Sequence, residues 1–258
     1  MPEKLQKTNR ADVSDCLDRL ATLAPSEWAS EYIKAHKWRC FDDIRRVSTL
    51  RRTAKILNLG GAPYIFEVLA QLEGHTTLSI DIHPDRNKSI INAFKLDVKN
   101  IDFEIDEDRN KINIEEFDIV CMCEVFEHMR IDLVKTMKDI SRRMRNDAII
   151  YLTTPNFFFA RRLLHRIFSG RSGPPLNSEW SKIELLGHMG HVREYSQVEL
   201  TEFFEYVGLR VEDIVVRNRS NWLAHSPLWF LPSLLLGLVE RSCNLLGEDL
   251  IFTLTRRN

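Results

Sequence analysis

The sequence predicts a doubly wound α/β fold: a mostly parallel, seven-stranded sheet, with helices added at the N-terminus and an apolar helical insertion near the C-terminus. Three observations predict it. Apolar runs of four or five residues lack the polar alternation of a half-solvated strand, which suits strands covered on both faces. Strand-type and helix-type segments alternate after Thr53, a pattern that calls for parallel pairing, right-handed crossovers and ligand binding at the carboxyl ends of the strands. The stretch Lys55-Ile-Leu-Asn-Leu-Gly-Gly-Ala-Pro-Tyr64 followed by Leu78-Ser-Ile-Asp-Ile82 reads as strand, glycine turn, helix and a second strand ending in a carboxylate. Glycines there let backbone approach a ligand closely, and Asp81, about 20 residues further on, is placed to accept hydrogen bonds from ribose hydroxyls. This is a nucleotide-type pocket.

The elements follow in order. Residues 1 to 52 read as helical, because Cys16, Leu17, Leu20 and Leu23 recur at helical spacing. Pro25-Ser26-Glu27 starts a new segment that runs through Trp38. Together they form a lid or brace, separate from a second region, 53–258. That region is expected to hold strand 55–59, helix 64–73, strand 77–82, a short strand near 93–96, strand 117–123, helix 131–144 and strand 147–153. A helix from Ser196 to Tyr206, stopped by Gly208, then precedes strands near 210–216 and 249–255.

Two insertions interrupt this regularity, 157–190 and 220–247. In the first, Phe157, Phe158, Phe159, Leu163, Leu164, Ile167 and Phe168 alternate with Arg161, Arg162, His165, Arg166 and Arg171, a basic amphipathic pattern followed by Ser172-Gly-Pro-Pro. The second carries an apolar run from Leu228 to Val239, shorter than the roughly 20 residues a membrane span needs. Both suit a substrate-covering lid, contact with a membrane surface or a dimer interface.

Composition narrows the field. A chain of 258 residues with 44% hydrophobic content can bury one sizeable α/β core. A formal net charge of -1 gives no bulk electrostatic reason to expect nucleic acid as partner. Five cysteines without a Cys-x-x-Cys pair suit reduced thiols, and Cys121 and Cys123, in an apolar strand, read as packing residues rather than reactive ones. The polar N-terminus lacks the apolar core of a secretion signal, so a cytoplasmic protein is expected, with peripheral membrane association open and no transmembrane span.

From Lys55 to Arg256 the order of motifs resembles the class I S-adenosylmethionine-dependent methyltransferases, a Rossmann-like family. The resemblance rests on Asn58-Leu-Gly-Gly61, Ser79-Ile-Asp81, Lys95-Leu-Asp97, Phe117-Asp-Ile-Val120, Glu124-Val-Phe-Glu-His128, Thr153-Thr-Pro-Asn156 and His191-Val-Arg-Glu-Tyr-Ser196. It implies S-adenosylmethionine as cofactor. Gly60 and Gly61 would lie against its methionine portion, Asp81 would bind the ribose diol, and Asp97 with the backbone of Val98 would meet the adenine edge. Asn58 stands where the family usually has an acid, and Ala62 and Tyr64 where further glycines are common. An amide can accept a hydrogen bond but cannot neutralise the cofactor's cationic amino group.

Glu124, Glu127 and His128 leave the end of the fourth strand, where the reactive methyl belongs in this architecture, and in a helical turn Glu124 would lie one turn from the other two. With His191 they resemble the ligand set of metal-assisted methyltransferases acting on the terminal ribose of small RNAs or on catechol oxygens of prenylated quinone precursors. The resemblance implies a divalent ion held by Glu124, Glu127, His128 and His191, with Glu124 also on the cofactor side. A plain structural role for Glu127, His128 and His191 stands beside it, in which case His128 or His191 is the general base. His188 reads as an extra ligand or proton acceptor or as plain surface, Trp180 as a residue that stacks on an acceptor or anchors the lid, and Asn156 as a turn residue or a substrate contact. The expected activity is O-methyl transfer to a hydroxyl of a small or amphiphilic acceptor such as a sugar, glycolipid or prenylated phenol. The alternatives are an RNA 2'-O-methyltransferase and a noncatalytic binding protein of the same fold.

Overall fold

The computed structural model describes residues 10–171, 177, 190–218 and 245–257. Its strands are β1 (Lys55–Leu59), β2 (Thr76–Asp81), β3 (Val98–Asn100), β4 (Ile119–Cys123), β5 (Ile149–Pro155), β6 (Leu209–Arg217) and β7 (Asp249–Arg256). They form one seven-stranded sheet in the order β3-β2-β1-β4-β5-β7-β6. The chain divides into two compact units, Met1–Cys121 with Arg143–Ala148, and Met122–Arg142 with Ile149–Asn258.

The first unit is the parallel part. β1 pairs in parallel with β2 (Leu57 opposite Leu78) and with β4 (Leu57 opposite Val120), and β2 pairs in parallel with β3. Ile56, Leu57 and Leu59 on β1 and Ile119 to Cys121 on β4 are all buried, as the unbroken apolar runs require. The helices α1 (Arg10–Thr22) and α2 (Glu27–Leu50) pack on each other and on α3 (Ile65–Leu72). Ser26 caps α2 by accepting from the Ala29 N–H. That helix does not stop near Trp38: buried Ile33, Cys40, Ile44 and Val47 continue its apolar stripe, and it ends at Leu50. Its last turn is tied down by buried His75, whose Nδ1 accepts from the Ala54 N–H while Nε2 lies 2.9 Å from the Ser48 hydroxyl. Burial lowers the His75 pKa, in keeping with a ring that must leave Nδ1 unprotonated.

The third strand is displaced from its expected place. Residues 88–94 form α4 (Lys88–Phe94), with Ile90 and Phe94 one turn apart, and Lys95 ends it in the left-handed region at φ 53°. The strand therefore begins only at Val98, and Asp97 comes before it instead of after it.

The second unit makes the sheet mixed. β7 runs antiparallel to both β5 (Leu152 opposite Phe252) and β6 (Val215 opposite Ile251). It also contains most of α6 (Leu133–Arg143; α5 is the short turn Asp106–Arg109), together with α7 (Ala160–Ser169) and α8 (Gln197–Tyr206). The α8 helix opens on a capping box: the Ser196 hydroxyl accepts from the Glu199 N–H, and the Glu199 carboxylate accepts from the Ser196 N–H. Phe126 packs edge-on against Tyr195, Phe203 and Phe204, which fixes the segment after β4 against α8 and the residue that precedes its cap. Among the described residues no helix is long and apolar enough to cross a membrane. The apolar run 228–239, Trp180, His188 and the proline loop lie outside the described residues.

Candidate active site

The predicted site residues fall in both units. In the first, Gly60 sits at φ 71° and donates its N–H to the Ile80 carbonyl at 2.8 Å, which turns the chain sharply at the end of β1. The Asp81 carboxylate accepts from the Ala62 N–H at 3.2 Å and the His83 N–H at 2.9 Å. It therefore faces the glycine turn and stays half-exposed. Asp97 is exposed and its carbonyl accepts from the Ser79 N–H, while Val98, half-buried, opens β3. Tyr64 is fully buried at the N-terminus of α3 with φ 67°, and burial pushes its phenol above the ordinary range.

The reason for Gly61 lies beneath it. A Cβ there would come within 2.1 Å of both Glu67 Oε1 and Ser79 Oγ. Glu67 is wholly buried, and its Oε1 accepts from the Asn58 amide and the Ser79 hydroxyl, both at 2.6 Å. Burial pushes the Glu67 carboxyl up to about 7, against the pull of those two hydrogen bonds. Glu67 is not among the residues that the motifs single out. The signal was a lone acid inside the apolar run Ile65-Phe66-Glu67-Val68-Leu69-Ala70.

In the second unit Glu124 leaves β4 in the left-handed region, φ 59°, a conformation that costs a non-glycine residue about 1 kcal/mol or more. Its N–H donates to the Thr153 carbonyl and its carboxylate accepts from the Thr153 hydroxyl. A 3-10 turn, Phe126–His128, follows in place of an α-helical one. Glu127 is buried with Oε2 accepting from the Thr154 hydroxyl at 2.9 Å, and its Oε1 lies 3.9 Å from Nε2 of both His128 and His191. Candidate ligand atoms of Glu127, His128 and His191 all lie within 4.8 Å of one another, whereas Glu124 is not part of that group.

Both imidazoles are oriented from behind. His128 Nδ1 is 3.1 Å from the Gly190 carbonyl, which can only accept, so Nδ1 carries the proton and Nε2 offers its lone pair. His191 Nδ1 is 2.9 Å from Glu194, and the Val192 N–H donates to the Glu127 carbonyl, joining the histidine segment to the turn. Glu194 is gripped by Arg162 and Arg166 of α7. Burial raises its pKa, but the His191 hydrogen bond and the nearby cations outweigh this and hold it below the usual carboxylate range. Two arginines of the basic amphipathic stretch thus serve an internal acid, while Ile167 and Phe168 remain exposed. Asn156 is a turn residue: buried, it donates to the Leu245 and Gly247 carbonyls and accepts from the Phe158 N–H.

Oxygen and imidazole donors of this kind suit a divalent transition metal or magnesium, and outer partners such as Gly190 and Glu194 are what orient such ligands. The donor set fits the ion that the Glu-x-x-Glu-His pattern implies, with three ligands in place of four.

A family model described as "Methyltransferase domain" matches residues 32–214. Similar folds occur in a SAM dependent methyltransferase from Archaeoglobus fulgidus, 16% identical, TM-score 0.57, covering 85% of this chain and 94% of that one. They occur also in the Burkholderia thailandensis 1,6-didemethyltoxoflavin-N1-methyltransferase with bound 1,6-didemethyltoxoflavin and S-adenosylhomocysteine, 14% identical, TM-score 0.53, covering 93% and 90%. A third is an S-adenosylmethionine-dependent methyltransferase from Clostridium acetobutylicum, 12% identical, TM-score 0.51, covering 86% and 92%. No curated protein matches the chain in sequence. The chain belongs to the class I S-adenosylmethionine-dependent methyltransferases.

Proposed function

We propose, with that membership as premise, that the chain is an O-methyltransferase whose first unit holds S-adenosylmethionine and whose Glu127, His128 and His191 activate an acceptor hydroxyl. The observation that carries this reading is the pair of imidazoles with both Nε2 atoms turned toward one buried carboxylate oxygen. On the donor side, Asp81 would take the ribose hydroxyls, Gly60 and Gly61 the methionine portion, Asp97 and Val98 the adenine edge, and Glu124 would stay with the cofactor.

A divalent ion held by Glu127, His128 and His191 would lower the pKa of a coordinated hydroxyl. The chain's own residues then have defined tasks. The fixed Nδ1 protons of His128 and His191 keep both Nε2 lone pairs available, for an ion or for the hydroxyl proton. Thr154 and the backbone of Val192 hold Glu127 and the His191 segment in register. Methyl transfer is a displacement at carbon, so a positioned hydroxyl stripped of its proton is the main requirement.

A sugar, glycolipid or prenylated phenol is the acceptor class we favour. Support comes from α7, whose Arg162 and Arg166 reach Glu194 behind His191 while its Ile167 and Phe168, and Phe158 just before it, expose apolar surface suited to an amphiphile or a membrane face. The decisive experiment supplies S-adenosylmethionine with an isotopically labelled methyl group to panels of glycolipids, prenylated phenols and short RNAs, with and without chelator, and reads products by mass spectrometry. Labelled methyl on an acceptor oxygen, reduced by chelator, is expected. Label on nitrogen or carbon, or none in a folded protein that binds the donor, would overturn the reading. Label on an RNA 3' end would move the acceptor class to RNA.

A further inference from the structure

Glu67 is a buried carboxyl that the proposed reaction does not use. Its Oε1 takes two neutral donors, Asn58 Nδ2 and Ser79 Oγ, and its Oε2 is buried without a hydrogen-bond partner. Asn58 Oδ1 and the Tyr64 hydroxyl are likewise buried and unpartnered, so three polar atoms beneath the glycine turn await a donor or an acceptor. The titratable groups that bear on this pocket are Asp81 of β2, Tyr64 at the start of α3 and Cys121 of β4, with Asp43 of α2 acting on Cys121; none of these is a cation. Beyond those two hydrogen bonds, a cation brought to an acid in such a place would stabilise its charged form.

S-adenosylmethionine brings two, an ammonium and a sulfonium. We propose that Glu67 supplies the negative charge missing at residue 58, with Asn58 as relay: its amide nitrogen donates to Glu67 Oε1, and its carbonyl oxygen turns toward the cofactor's cationic amino-acid end. The inference rests on the cofactor reading given above. It explains why residue 61 must be glycine, since any side chain there would occupy the space that Glu67 and Ser79 need. Glu67 is then a positioning residue, acting through Asn58.

The consequence is a proton balance. Near neutral pH the free protein holds part of its Glu67 as the neutral acid, and a bound cation favours the carboxylate, so the proton leaves for the buffer as the cofactor binds. Affinity therefore rises with pH up to about 7 and then levels.

The test is calorimetric titration of S-adenosylmethionine into the full chain between about pH 5.5 and 7.5, in two buffers of different protonation enthalpy. The wild type is expected to release a fraction of a proton and to gain about tenfold in affinity over that range. Glu67→Gln should abolish the proton release and weaken binding about tenfold, yet raise the melting temperature of the free protein at the upper end of the range. A merely structural role would lower both. The double variant Asn58→Asp/Glu67→Gln returns the acid to the strand and should recover affinity to within about threefold of wild type. If the wild type binds without proton release and equally well at every pH, the inference is overturned while the cofactor reading stands. This arm needs no variant to fold. If the wild type binds no S-adenosylmethionine at all, the cofactor reading falls and takes the inference with it.

Discussion

Glu67 in the first unit and Glu194 in the second are both largely withdrawn from water, and burial pushes both carboxyl groups upward. They end on opposite sides of the ordinary value. Glu67 has an amide and a hydroxyl for partners and rises to about 7, whereas Glu194, with a side chain 13% exposed, has two guanidinium groups and a histidine and falls below the usual range. Desolvation alone does not set the charge of a buried acid; the presence or absence of a cation does. Glu194 is completed by its own chain and works as a fixed anchor for His191. Glu67 is left incomplete, which makes it responsive to what binds.

The largest expected effect comes from cutting the chain of contacts that Glu194 supports. His191→Ala should lower methyl transfer by roughly 100- to 10,000-fold while leaving S-adenosylmethionine binding unchanged, read by steady-state kinetics and calorimetry. An equal loss of donor affinity would break the contrast between the halves.

Next is the pH dependence of the free protein's stability. The folded-state pKa of Glu67 lies above its unfolded value of 4.5, so its contribution is fully present below that value and is lost as pH rises through about 7, an effect of about 3 kcal/mol. Glu194 has the opposite sign: its folded-state pKa is depressed, so its contribution is present above the unfolded value and is lost as pH falls through the folded one. Denaturant titrations of Glu67→Gln and Glu194→Gln across this range should remove the two slopes separately. A smaller effect, about 1 to 3 kcal/mol, is expected for Gly61→Ala, whose methyl group collides with Glu67 and Ser79. The smallest is Ser196→Ala, about 1 kcal/mol, which removes the capping box of α8 and leaves the Glu67 pocket untouched; urea midpoints measure both.

Much of this architecture was legible in the sequence because it is local. The glycine turn after β1, the carboxylate at the end of β2 and the helix that opens at Ser196 are encoded within a few residues, and the structure contains each of these elements. A strand is expected near 93–96, but Ala93 and Phe94 complete α4 and the left-handed Lys95 ends it, so β3 starts only at Val98. Glu124 looked like a ligand when the turn was read as α-helical. The 3-10 turn and Thr153, 29 residues away, give it a different partner. Glu194 and Glu67 escaped notice for a related reason. Their roles depend on Arg162, 32 residues away, and on Ser79, 12 residues away, partners that no periodicity announces. The arginines of α7 read as a basic surface because a sequence shows charge but not the acid that takes it up.

In the proposed reaction, donor binding and acceptor activation are chemically separate tasks of the two units. Calorimetric titration of S-adenosylmethionine and, separately, of manganese into Asp81→Asn and His191→Ala tests it directly. Asp81→Asn should weaken donor binding about tenfold and leave manganese binding intact, while His191→Ala should do the reverse. Manganese binding that survives His191→Ala, or a single variant that abolishes both titrations in a folded protein, would contradict it.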